Sequence, residues 1–359
     1  MFWPNFDFEH ELARGTSWQP PDRLLEINSA LACCFCSIAE GDDVIIVPKL
    51  CPQDKLKRER VEAEVVDRSH VSTDDRFRGP EWELIPWGVT PSLEHLAIQR
   101  DWVWHQPDCE LVRQLNDRET SVDWERQTQT LPEGVELISS FAELQTAISR
   151  LDRKKWILKA RFGMSARERI VGEDATLTAQ QSGWIEKRLK EQGSLILEPW
   201  LEAVDEVGIQ LQIPPTGEVE LLAALPLINS PHGEYQGSRL YLSEPETKIW
   251  EPAVRIAMQI ARDFQRQGYF GPVGIDAMRY RDGDEIKLRP VQDINARWTM
   301  GRIAWEWKRL LSSDQKATWF QGQPAEELLR NPAVSNRLIR TSPKSWPTDT
   351  FIPSVLLTE

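Results

Sequence analysis

Arg289-Pro290-Val291-Gln292-Asp293-Ile294-Asn295-Ala296-Arg297 follows a second strand-like run, Gly271-Pro272-Val273-Gly274-Ile275-Asp276-Ala277-Met278, with the turn signal Asp282-Gly283 between them. The pattern predicts a β-hairpin of Phe270–Tyr280 with Glu285–Asn295. Side chains alternate across a strand, so Asp293 and Asn295 point to one face, and Arg297 returns to it if the strand continues. Hard oxygen ligands of this kind suit Mg²⁺, which is usually held by one or two carboxylates together with substrate phosphates. An ordinary hairpin with a polar end has the same pattern, so the rest of the chain must decide.

Upstream, residues 153–169 are basic in a chain that is acidic overall: Arg153, Lys154, Lys155, Lys159, Arg161, Arg167 and Arg169 oppose only Glu168. The cations begin inside an apolar strand pattern, Trp156–Ala160, and continue into a loop holding Gly163, Ser165 and Ala166. Small residues let backbone amides approach an anion, and flanking cations neutralise polyphosphate. Lys159 sits where strand meets loop, suited to act as a point charge on phosphate. A solvated basic face is the plainer alternative. Further on, Glu198-Pro199-Trp200-Leu201 follows a short apolar strand. Trp200 and Leu201 offer a flat apolar face for an adenine, and Asp205 or Glu206 an acceptor for ribose hydroxyls.

Around these motifs the chain alternates helix and strand. Pro21–Val47 predicts a helix, ended by Gly41, and a short buried strand over Asp43–Val47. Asp67–Ser92, rich in charge, Pro and Gly, predicts a loop. Helices are expected over 111–118, 120–127, 141–151 (capped by Ser139 or Ser140), 175–192 with a bend at Gly183, and 252–267. Strands are expected at 195–198, 206–213 and 219–225. The last ~45 residues are weakly patterned, with a terminal strand at Phe351–Leu357.

Composition narrows the function classes. A chain of 359 residues should form two or three domains, and a net charge of −13 argues against a protein that binds nucleic acid by counterion release. The five cysteines are odd in number, lack zinc-site spacing, and fall partly in the apolar run Ala30–Cys36, which predicts buried, reduced thiols in a cytoplasmic protein. No signal-peptide pattern or membrane-length apolar run is present. The 16 tryptophans show no repeat period, so most are expected to pack.

Taken in order, these motifs resemble the ATP-grasp superfamily, specifically carboxylate–amine ligases such as D-alanine–D-alanine ligase, over residues 110–310. The resemblance implies an α/β (α+β) ATP-grasp fold behind an N-terminal α/β substrate-side (pre-ATP-grasp) domain. It divides the chain into 1–110, a small nucleotide-binding subdomain 111–200, a large subdomain with the metal site 201–315, and a C-terminal extension 316–359. It implies phosphate contacts from Arg118 and Lys159 and a mobile phosphate-covering loop, Gly163–Arg167, with Ser165 and the Arg167 side chain taking part. Glu198, Trp200 and Leu201 correspond to the adenine hinge, Asp205 to the ribose-binding acid, and Asp276, Asp293 and Asn295 to the Mg²⁺ ligands. The acid before Ile294-Asn295 is usually Glu in that family, so Asp293 is one methylene shorter. A longer turn or a bulge at Pro290 has to bring Asp276 opposite Asp293.

The activity so implied is ATP-dependent joining of a carboxylate to an amine through an acyl phosphate, with ATP and Mg²⁺ as cofactors (Mn²⁺ as a substitute) and Arg297 stabilising the acyl phosphate. His232 and Arg239 lie near a loop that could face substrate. Phosphoryl transfer by the same core and non-catalytic nucleotide binding are the rivals. Partners are small-molecule carboxylate and amine substrates, with no nucleic acid or membrane; a homodimer is expected by analogy only.

Overall fold

The computed structural model describes residues 1–49, 63–151, 155–163, 168–231, 233–344, 346, 348 and 351–359. The first sheet contains β1 (Phe2–Trp3), β2 (Val44–Val47), β3 (Glu64–Asp67) and β4 (Ile85–Pro86), in the order β3-β2-β1-β4 with every pairing parallel. β2 is the uninterrupted apolar run Val-Ile-Ile-Val, buried throughout, as a strand covered on both faces requires.

The second sheet is antiparallel: β5 (Glu136–Ile138), β6 (Lys155–Ala160), β7 (Arg169–Glu173) and β8 (Leu195–Pro199), in the order β5-β8-β6-β7. On β6, Trp156, Leu158 and Ala160 alternate into a core with Leu144, Ile185 and Leu197. That alternation turns Lys159 to the opposite face.

The third sheet has eight antiparallel strands: β9 (Glu202–Ile213), β10 (Glu220–Asn229), β11 (Tyr235–Arg239), β12 (Gly271–Asp282), β13 (Glu285–Asn295), β14 (Ala317–Gln321), β15 (Leu338–Arg340) and β16 (Ser354–Thr358). Their order is β13-β12-β9-β10-β11-β14-β16-β15. β12 and β13 are joined by a two-residue turn in which Gly283 has φ 62°, a left-handed conformation glycine adopts without strain. Asp276 pairs with Asp293 and Met278 with Arg289, so Ala277 alone spans what Pro290, Val291 and Gln292 span on β13. The bulge at Pro290 is thus what brings the two aspartates opposite.

Several sequence expectations need correction. Asp67–Ser92 is not a plain loop: it holds the end of β3, a helix over Arg68–Thr73, a 3-10 turn over Asp75–Phe77, and β4. The Asp67 side chain caps that helix by accepting from the Ser69 N–H at 2.8 Å, and Val71 and Phe77 anchor the polar segment in the core. The helix expected over 252–267 spans Glu244–Arg266, with Pro252 inside it. Ser243 and Glu246 form a capping box at its start, and Trp250, Ala253, Ala257, Ile260 and Phe264 give it one continuous apolar face against β9, β12 and β13. The Ala179–Gln192 helix runs through Gly183 without a break. The weakly patterned C-terminal residues supply three strands of the large sheet: β16 falls where the terminal strand is expected, whereas β14 and β15 are too short for their periodicity to stand out alone. The described cysteines Cys33, Cys34, Cys36 and Cys109 are free, and burial pushes the Cys109 thiol up to about 12; Cys51 lies outside the described residues. No described helix is long and apolar enough to cross a membrane.

Candidate active site

A cavity of about 520 Å³ is walled by β6, β9, β10, β12 and β13 together with segments from both ends of the chain. Arg118, Lys159, Asp276, Asp293, Asn295 and Arg297 all line it.

Arg118 is the first residue of the Arg118–Gln127 helix, whose N-terminus is capped by the Asp117 side chain through the Glu119 N–H at 3.0 Å. Its guanidinium donates to the carbonyls of Ala160 (2.8 Å) and Gly163 (2.7 Å) and lies 3.6 Å from Asp293. A side chain at Gly163 would place Cβ 2.6 Å from Cβ of Glu168 and 3.1 Å from the Arg118 guanidinium. The backbone here is therefore drawn tight against the cation. Ser165 and Arg167 lie outside the described residues, as does His232.

Lys159 donates to both Glu198 oxygens at 2.9 Å. Burial pulls its pKa below the ordinary lysine value, and Glu198 opposes that shift. Glu198 is itself clasped by Arg289 at 2.8 Å, and Arg289 makes a two-pronged contact with Glu125 at 2.7 and 2.8 Å. Arg289, Glu125 and Glu198 are all buried. Burial alone would raise the Glu198 carboxyl, but Arg289 and Lys159 overcome it and hold it well below the usual carboxylate range. Glu125 is raised by burial despite Arg289. An arginine within an otherwise strand-like run was the available sequence signal for this network, since a buried charge needs partners; nothing local marked Glu125.

Of the residues expected at the adenine and ribose, Glu206 alone lines this cavity. Glu198 is enclosed in the buried network, and Leu201 is half-buried. Trp200 carries the Lys155 ammonium 3.9 Å above its ring and donates its backbone N–H to the Lys155 carbonyl. Asp205 is paired with Arg279, whose Nε donates at 2.7 Å. Its neighbour Glu206 does reach the cavity wall and accepts from Asn229 Nδ2 at 2.6 Å.

At the acidic end, Asn295 Nδ2 donates to Asp276 at 3.5 Å, and its Oδ1 accepts from Arg297 at 2.8 Å. Arg297 also donates through Nε to Glu9 Oε1 at 3.0 Å, tying this end to the N-terminal segment. Burial, then Asp293 and Glu206, push the Asp276 carboxyl up to about 7. Carboxylates crowded in this way fit the donor chemistry of Mg²⁺, while the Asn295 carboxamide presents its N–H to Asp276 and its oxygen to Arg297. Among the described residues no three acidic, histidine or cysteine side chains form a complete metal cluster; Mg²⁺ does not require one, because phosphate and water complete its shell.

No protein-family model matches the chain, and no curated protein matches it in sequence. Solved structures match it in fold. The biotin carboxylase domain of the Hydrogenobacter thermophilus 2-oxoglutarate carboxylase, a dimer in complex with MgADP, ADP and bicarbonate, aligns with a TM-score of 0.61 at 11% identity over 92% of this chain and 84% of that one. N5-carboxyaminoimidazole ribonucleotide synthetase from Thermus thermophilus aligns at 0.54 and 16% identity over 92% and 90%. The Staphylococcus aureus N5-carboxyaminoimidazole synthetase complexed with ADP aligns at 0.54 and 11% identity over 84% and 83%. The chain has the ATP-grasp fold, preceded by an N-terminal parallel sheet.

Proposed function

We propose that the protein is an ATP-dependent, ADP-forming ligase that joins a carboxylate to an amine. The observation that supports this most is the meeting, in one cavity, of two cations suited to phosphate (Arg118, Lys159) with the acidic pair Asp276 and Asp293 beside Asn295. The solved ATP-grasp neighbours that carry ADP add to it.

In this reading a substrate carboxylate oxygen attacks the γ-phosphorus of ATP, the bond from that phosphorus to the bridging oxygen breaks, and ADP leaves. The amine nitrogen then attacks the acyl carbon; a C–N bond forms, the C–O bond to phosphate breaks, and the amine proton leaves with phosphate. The protein supplies position and charge rather than a nucleophile. Lys159 and Arg118 hold the nucleotide phosphates. Arg297, oriented by Glu9 and Asn295, neutralises the acyl phosphate. Asp276, Asp293 and Asn295 would hold Mg²⁺, which when bound neutralises charge on the phosphoryl oxygens. Mn²⁺ is proposed as a substitute. Ser165 and Arg167 are proposed for the phosphate-covering loop, and Glu198, Trp200, Leu201 and Asp205 for the adenine and ribose side. We keep the division at 110, 200 and 315 as the proposed domain plan, with a cytoplasmic setting and a homodimer as further proposals.

Thermal unfolding of wild type and Asn295→Ala, with and without Mg-ATP, tests the nucleotide site. A ligand that binds only the native state stabilises it by about 2.7 kcal/mol at a hundredfold excess over Kd. The expected result is Mg²⁺-dependent stabilisation of wild type that the variant largely loses. ADP release coupled to an amide product then separates a ligase from a phosphotransferase, and binding without turnover would favour a non-catalytic nucleotide-binding protein.

A further inference from the structure

Beyond its charged residues, the same cavity has an apolar wall that the nucleotide chemistry does not use. Phe6, Leu31, Trp87, Tyr235 and Met300 line it and belong to one continuous hydrophobic cluster. Ile27 lies one helical turn before Leu31 on the Asp22–Leu31 helix and also faces the cavity. The Phe6 and Trp87 rings are 4.4 Å apart, and the Arg297 guanidinium lies 6.0 Å from the Trp87 ring. Arg297 therefore joins the apolar wall to the acidic end where transfer is proposed.

Gln321, at the end of β14, lines the cavity, and its carboxamide oxygen is buried with no hydrogen-bond partner among the described residues. A buried acceptor left unpaired costs about 1–3 kcal/mol, which a ligand N–H would recover. The hydroxyl of Tyr235 is already engaged with Ser238 at 2.7 Å and leaves mainly its ring for contact. A charged substituent placed against Phe6, Leu31 and Trp87 would lose its hydration without gaining a partner there.

We infer that a substrate of the proposed ligation carries an aliphatic or aromatic body, seated on Phe6, Ile27, Leu31 and Trp87, and an N–H that donates to Gln321. This rests on the ligase reading and specifies the class of one substrate. Each buried methylene contributes about 0.8 kcal/mol, so a body the size of a leucine or phenylalanine side chain is strongly favoured over a small or charged one.

The test uses the full chain with saturating Mg-ATP and L-leucine, L-phenylalanine, L-glutamate and L-lysine as separate probes, reading both the unfolding midpoint and ADP release. The expected result is that leucine or phenylalanine raises the midpoint beyond Mg-ATP alone and releases ADP about tenfold or more faster than the charged pair, the discrimination a hydrophobic pocket typically gives. Gln321→Leu should raise the half-saturating concentration of the preferred probe about tenfold, the direction expected when a paired N–H loses its acceptor. Ile27→Lys should shift preference toward glutamate. If Mg-ATP raises the midpoint but no apolar probe adds to it, or a charged probe is preferred, the substrate inference fails while the nucleotide reading stands. If Gln321→Leu behaves as wild type, the donor requirement fails. If Mg-ATP itself has no effect, the ligase reading fails and takes the inference with it.

Discussion

Lys159 on β6 and Arg289 on β13 belong to different sheets, yet both are bound to the same buried carboxylate, Glu198. Glu125 then holds the far side of Arg289. The lysine proposed for the nucleotide is thereby positioned by an ion network that reaches the metal-proposed strand.

Removing Arg289 should be among the most damaging single changes in the chain. Arg289→Ala leaves Glu125 and part of Glu198 buried without their cation, a loss that typically costs about 3–5 kcal/mol. Chemical denaturation should show a fall of that size, and a shape-filling Arg289→Met paired with Glu125→Leu should recover part of it.

Lys159→Met should behave differently. Glu198 keeps Arg289, so the unliganded protein should lose only about 1 kcal/mol. Stabilisation by Mg-ATP should largely disappear. Comparing unfolding midpoints with and without the nucleotide separates the two effects; an unchanged ligand gain would remove Lys159 from the phosphate site.

Asp276 gives a pH dependence with a definite sign. Its folded pKa, pushed up to about 7, lies above its ordinary value of 3.8. The native state therefore holds the proton more tightly between those values, and the unliganded protein should lose stability as pH rises through that window, with a slope of at most about 1.4 kcal/mol per pH unit. Asp276→Asn should flatten the dependence and raise stability at pH 8 by on the order of 2 kcal/mol. The same variant should lose the Mg²⁺-dependent gain from ATP. Urea titrations across pH 5–8 check the first effect and nucleotide titrations the second.

Gly163→Ala should displace the segment that Arg118 grips, because its Cβ meets Glu168 too closely to fit without movement. Overpacking of this kind costs about 1–3 kcal/mol. The Arg118 contact to the Gly163 carbonyl should weaken with it, and ATP affinity should fall. Binding measured calorimetrically, alongside the unfolding midpoint, reports both.

Local patterns in the sequence were enough for the β12–β13 hairpin, the strand carrying Lys159, and the shared face of Asp293 and Asn295, because period-two alternation and a Gly turn act within a few residues. The order of those motifs was enough for the ATP-grasp resemblance that the solved structures bear out. The tertiary structure decided what each charge pairs with. Lys159 meets Glu198, Asp205 meets Arg279 rather than an open cavity, and Arg297 meets Glu9 from the far end of the chain. It also decided that β14, β15 and β16 complete the large sheet and that Gln321 reaches the cavity. Ion pairing and desolvation act between residues tens to hundreds of positions apart, so no local periodicity encodes them; only the packing of distant segments brings those groups within reach.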